Sequence, residues 1–145
     1  MESVSLRKRI ITEFLTTEFT YVQLLKVVDE DFIIPLATAA TSGNAIIPLE
    51  DVRTIFQNIS SILSISSKLL RKMKQRVAEE GFSYEESAFT DVFIDLFDTT
   101  SLQDVYQRYI NNYDKGNACL IRDMNEPKMQ QMVQETLKRN FKFPN

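Results

Sequence analysis

The sequence predicts an all-α fold, an elongated bundle of long antiparallel helices. Three observations predict it. Apolar residues recur every three or four positions through most of the 145 residues. No segment alternates apolar and polar side chains as a half-buried strand does. Glycine and proline, which punctuate turn-rich chains, number only three and four.

The first helical segment is expected from about Leu6 to Ile34. On a helical wheel that sets Ile10 at 0°, Phe14 falls at about 40°, Tyr21 at about 20° and Val28 at about 0°. Leu25 and Phe32 join that stripe, and Ile11 and Leu15 widen it. Pro35 is expected to stop the helix, and the small, polar composition from Ala37 to Ile47 reads as a connecting loop. Pro48, whose fixed φ suits a first turn, starts a second helix, with Glu50 and Asp51 complementing its dipole. Val52, Ile55, Phe56, Ile59, Ile62, Leu63, Leu69, Leu70 and Met73 carry one stripe over several turns. Arg71, Lys72, Lys74 and Arg76 then cluster where a helix C-terminus favours cations, ahead of Gly81.

Ser83 and Glu86 have capping-box spacing and are expected to open a short helix carrying Phe89, Val92, Phe93, Leu96 and Phe97. Thr100 and Gln103 repeat the device ahead of Leu102, Val105, Tyr106, Tyr109, Ile110 and Tyr113. Gly116 either ends that helix or sits inside it at a cost of about 1 kcal/mol. Pro127 begins a last helical stretch with Met129, Met132, Val133 and Leu137, and the chain closes on Phe141, Pro144 and Asn145. No internal repeat is visible.

Residues 1–145 are expected to form a single domain, with 43% apolar and 26% charged residues in the ordinary globular range. A net charge of −3, with the signs interspersed, offers no general attraction to nucleic acid or to an anionic membrane. No apolar run is long enough to span a bilayer. Cys119 is the only cysteine, so no intrachain disulfide forms, and a reducing, cytoplasmic setting is expected. Without histidine the chain cannot build a Ser-His-Asp or Cys-His centre or a histidine-ligated metal site. Gly43, Gly81 and Gly116 fall in no phosphate-binding loop, so no cofactor is expected and covalent catalysis is not.

Three stretches carry a resemblance. The first helix contains Arg9-Ile10-Ile11-Thr12-Glu13-Phe14-Leu15-Thr16-Thr17-Glu18-Phe19-Thr20-Tyr21-Val22. Ile55-Phe56-Gln57-Asn58-Ile59 is followed by Ile62-Leu63, and Phe89 to Phe97 by Val105-Tyr106-Gln107-Arg108-Tyr109-Ile110-Asn111-Asn112-Tyr113. In this order and spacing they resemble the Dbl-homology (RhoGEF) domain, the helical module that makes Rho-family GTPases release GDP. The resemblance implies a guanine-nucleotide exchange factor with no covalent chemistry of its own, which prefers the nucleotide-free GTPase. Family members continue into a third conserved region with a Pro-x-Gln-Arg signature, which this sequence lacks. The chain is therefore expected to be a truncated portion of the domain, impaired in exchange and prone to self-association through its uncovered apolar stripes. Any membrane proximity would come through domains not present here. A non-catalytic helical scaffold that binds a partner in a groove is the alternative.

The resemblance also separates two glutamates. Glu18 lies at about 80° on the wheel, inside the apolar arc, and must there be paired or hydrogen-bonded, so it reads as a structural buried carboxylate. Glu13 lies at about 300°, beside Thr20 at about 280° and Arg9 at about 260°. By resemblance Glu13 accepts hydrogen bonds from the first switch of the GTPase and holds it off the nucleotide. Thr16, Thr17, Thr20 and Arg9 flank it as candidate GTPase-binding residues.

Overall fold

The structure, a computed structural model, describes residues 5–141; Pro144 and Asn145 lie outside them. All regular structure among the described residues is helical, in seven α-helices and one π-helical turn, with no strand. No helix is long and apolar enough to cross a membrane.

The first helix, α1, covers Leu6–Val28 and passes into a π-helical turn at Asp29–Ile33. The backbone N–H of Ile34 donates to the carbonyl of Asp29, five residues back. A second helix, α2 (Ile34–Thr41), follows at once. Pro35 therefore does not stop the chain's helical course, contrary to expectation. It sits in the first turn of α2, where its missing N–H has no role to fill, and the widened turn gives its ring room. The expected loop shrinks accordingly. Ala37–Thr41 is helical, Leu36 is fully buried, and only the segment around Gly43 (φ +86°) turns the chain.

Helix α3 (Leu49–Phe56) starts behind Pro48, whose carbonyl accepts from the N–H groups of Asp51 and Val52 at 3.0 and 3.1 Å. The long second helix expected from the apolar stripe is in fact two. Gln57 adopts φ +47°, ψ −119°, which breaks the helix, and α4 (Ile59–Val77) begins two residues later. The stripe continues across the break, and for that reason its period does not reveal it.

The capping boxes are not formed. Residues 83–89 make a turn in which the Ser83 hydroxyl accepts from the N–H of Glu85, and the Ser87 hydroxyl from that of Ser83. Arg7 donates to the carbonyls of Tyr84 and Ser87 at 2.8 and 2.7 Å, and Arg76 to that of Ala88 at 2.6 Å. Side chains thus take the acceptors a helix would need, and α5 starts only at Thr90, ending at Thr100. Thr100 caps nothing ahead of it; its hydroxyl donates back to Leu96. The single residue Ser101, at φ +51°, joins α5 to α6 (Leu102–Asp123), which contains Gly116 in its interior. Helix α7 is Pro127–Asn140.

The chain divides into two compact units. One comprises residues through Leu25 and Ser60–Tyr106; the other comprises Lys26–Ile59 and residues from Gln107. In the first unit Ile65, Leu69 and Met73 of α4 meet Val92 and Leu96 of α5, with Leu15, Phe89, Phe93, Leu102 and Val105 around them. Lys72 pairs with Asp95 and Arg76 with Asp91 outside that core. In the second unit Leu36, Ile47, Val52, Phe56 and Met129 form the centre, and Val28 and Phe32 pack against it.

Candidate functional site

Helix α1 carries apolar residues around about half its circumference, and packing decides which of them are covered. The buried side chains are Ile11, Val22 and Leu25, with Leu15 half-buried. On the wheel with Ile10 at 0° these lie between about 60° and 140°. The stripe expected to be buried is therefore displaced by about a quarter-turn. Ile10, Phe14 and Tyr21 are 56%, 37% and 39% exposed.

This rotation places Glu18 within the covered arc. Its carboxyl is half-buried and hydrogen-bonded to Ser66, itself buried on α4. Desolvation pushes the Glu18 carboxyl above the usual carboxylate range, and the Ser66 hydrogen bond opposes that rise.

Glu13 lies on the opposite, exposed face with Arg9, Thr16, Thr17 and Thr20. The Thr16 hydroxyl donates to the carbonyl of Thr12 at 2.9 Å, and that of Thr20 to the carbonyl of Thr16 at 3.1 Å. Those protons are spent on the backbone, which leaves both oxygens as acceptors. Neither Glu13 nor Arg9 forms an ion pair among the described residues. Their neighbours differ. Arg7 is held by the two carbonyls already described, and Lys8 lies 5.3 Å from the ring of Tyr84.

One turn before Glu13 the structure exposes Ile10 (56%), and farther along the same face it exposes Leu6 (70%) and Leu24 (45%). A helix face with exposed apolar side chains and a carboxylate without an ion pair can seat a partner by area and orient it by one charge-assisted hydrogen bond. Nothing on this face makes a nucleophile–base pair. The apolar stripe through Ile10 reads as core, which hides this exposed face in the sequence. Its signal was present in the sequence as a second apolar arc, formed by Leu6, Ile10 and Leu24, that one buried face could not also absorb.

A separate cluster lies in the second unit. Ligand atoms of Asp51, Cys119 and Asp123 fall within 4.8 Å of one another, a grouping that could hold a metal ion. Arg122 already donates to Asp51 at 3.1 Å, and the Cys119 thiol donates to Asp123 at 3.7 Å. Burial and the adjacent carboxylates push that thiol up to about 11, so it stays protonated and is a poor ligand. The cluster ties α3 to α6.

Comparison with known proteins gives one consistent result. A sequence model of the RhoGEF domain matches residues 10–143. The rat protein "Ras-specific guanine nucleotide-releasing factor 1" is 30% identical over 113 residues, 77% of this chain and 8% of that protein. Human "Rho guanine nucleotide exchange factor 1" is 30% identical over 92 residues, 63% of this chain and 9% of that protein. Human "Pleckstrin homology domain-containing family G member 3" is 28% identical over 136 residues, 92% of this chain and 10% of that protein. The chain thus spans about a tenth or less of the length of these relatives. No solved structure matches it significantly.

Proposed function

This chain belongs to the RhoGEF (Dbl-homology) domain family, and we propose that it promotes GDP release from a Rho-family small GTPase. The observation that carries the reading is the exposed carboxylate of Glu13 on α1, which has no ion pair among the described residues and lies one turn from exposed Ile10 on a face that also exposes Leu6 and Leu24. The apolar side chains seat the GTPase, and Glu13 accepts hydrogen bonds from its first switch in the displaced position. Thr16, Thr17, Thr20 and Arg9 border that contact. No bond is made or broken. The effect is differential affinity: the module shifts the GTPase toward release only by the factor by which it prefers the nucleotide-free form.

Release of a fluorescent GDP analogue, followed across a panel of Rho-family GTPases, tests this. Glu13→Ala is expected to slow stimulated release at least tenfold, since it removes a charge-assisted contact worth about 1.5–3 kcal/mol. Its folding stability should stay within about 0.5 kcal/mol of wild type, as for other surface changes. Unchanged release by Glu13→Ala would refute the assigned role. GTPase binding with no acceleration from the unmodified chain would favour the scaffold reading instead.

Two further elements belong to the proposal. The residues act as one domain, for which a single calorimetric unfolding transition is expected and two resolved transitions would count against it. The chain also self-associates through exposed Ile110 (68%), Tyr113 (51%) and Ile121 (64%) of α6. Light scattering that remained monomeric at high concentration would remove that element.

A further inference from the structure

The second unit contains a cleft of about 340 Å³ between the end of α3 and the middle of α6. Arg53, Gln57 and Asn58 line it from one side, and Arg108, Asn112 and Lys115 from the other. Arg108, Asn112 and Lys115 are spaced i, i+4, i+7, so all three fall on one face of α6. No carboxylate lines the cleft. None of Arg53, Arg108 and Lys115 takes part in an ion pair among the described residues. Three like charges converging without an acid repel one another, and an anion relieves that repulsion.

A second observation comes from Gln57. Its backbone is held at φ +47°, a conformation that non-glycine residues rarely adopt and that collects at functional positions. Its side-chain nitrogen donates to the carbonyl of Asn112 at 2.6 Å, which fixes the amide across the cleft. The amide oxygen Oε1 is buried and has no donor. Gly116 makes the arrangement possible, since a Cβ there would lie 2.8 Å from both Gln57 Nε2 and the carbonyl of Thr54.

We propose that this cleft binds a phosphorylated polyol. Guanidinium forks of Arg53 and Arg108 match phosphate oxygens in pairs, Lys115 adds a point charge, and the Asn112 amide on the same wall meets a ring hydroxyl. The cavity volume is at the small end of ligand sites, about 300–1,000 Å³, as suits a single phosphorylated ring. Such chemistry is presented by a soluble inositol phosphate and equally by the headgroup of a phosphoinositide.

Calorimetric titration of the full chain with inositol trisphosphate and with inorganic phosphate tests the proposal. Inositol trisphosphate is expected to bind at least tenfold more tightly than phosphate. Arg53→Gln and Arg108→Gln should each weaken it about tenfold, the loss of one charged hydrogen-bonding group, while Lys138→Gln on α7 leaves it unchanged. These are exposed helical positions, so the variants should fold, and circular dichroism checks that they do. Sedimentation with phosphatidylcholine vesicles, with and without phosphatidylinositol bisphosphate, distinguishes the sources. Capture that inositol trisphosphate reverses identifies the headgroup; titration binding without capture identifies the soluble form. No binding, equal affinity for inorganic phosphate, insensitivity to Arg108→Gln, or tighter binding of a phosphopeptide than of inositol trisphosphate would each overturn the proposal.

Discussion

The two units solve the same problem with different materials. The unit built on Ile65, Leu69, Met73, Val92 and Leu96 has an aliphatic centre, and its ion pairs lie on the surface, where solvent screens them. The unit built on Leu36, Ile47, Val52, Phe56 and Met129 also encloses Asp123 (6% exposed) and Thr136 (2%). It further contains the π-helical turn and the break at Gln57. The first unit departs less from regular aliphatic packing, with a buried Ser66 (3% exposed) on α4 and a left-handed Ser101 between α5 and α6. Bent backbone needs specific polar contacts and a glycine, and these make the second unit sensitive to single atoms.

Gly116 gives the largest expected contrast. Alanine would gain about 1 kcal/mol of helix propensity at an unconstrained site. Here its Cβ would meet the Thr54 carbonyl at 2.8 Å, and a backbone atom cannot swing away as a side-chain end can. Gly116→Ala should therefore lower stability by about 2 kcal/mol in urea unfolding. A stabilised variant would mean that α3 and α6 do not approach as closely as described.

Glu18 brings a polar demand into the otherwise aliphatic first unit. Glu18→Ala leaves the buried Ser66 hydroxyl without its partner and should cost about 1 kcal/mol. Glu18→Gln keeps a hydrogen-bonding group and removes a desolvated charge, so at neutral pH it should be as stable as wild type or slightly more so. Paired with Glu13→Ala, the comparison separates structure from function on one helix. Exchange lost in Glu18→Gln and kept in Glu13→Ala would reverse the two roles.

The smallest effect concerns pH. Burial, then the adjacent Asp51, holds the Asp123 carboxyl above its ordinary range. The folded chain therefore binds that proton more tightly than the unfolded chain does. Stability falls as pH rises from the unfolded carboxylate value, about 4, through the raised one. Asp123→Asn removes this contribution, so its unfolding midpoint should decline less than that of wild type between pH 4 and 7. Parallel pH profiles for the two proteins would show that Asp123 is not desolvated as the structure has it.

Much of the fold was legible because helical periodicity survives local error. The all-α class, the start of α3 behind Pro48 and the start of α7 at Pro127 follow from residue type and spacing, as does the placement of Glu13 away from the covered arc. Local signals failed where a distant side chain intervened. Ser83 and Glu86 spell a capping box, yet Arg7 and Arg76 claim the carbonyls around it. Pro35 spells a stop, yet the π-helical turn carries the chain past it. The cationic cleft was not foreseen, because Arg53 and Arg108 are 55 residues apart and resemble ordinary solvated charges until the helices are placed.

By itself, then, the sequence determined that this chain is helical, which segments are amphipathic and which family it resembles. Those properties depend on neighbours within a turn or two. Only the tertiary structure decided which of the two apolar arcs of α1 is covered. It also decided where the long stripe breaks at Gln57 and which cations are left without acids. These are choices between locally equivalent options, and contacts from residues far along the chain supply the free energy that separates them.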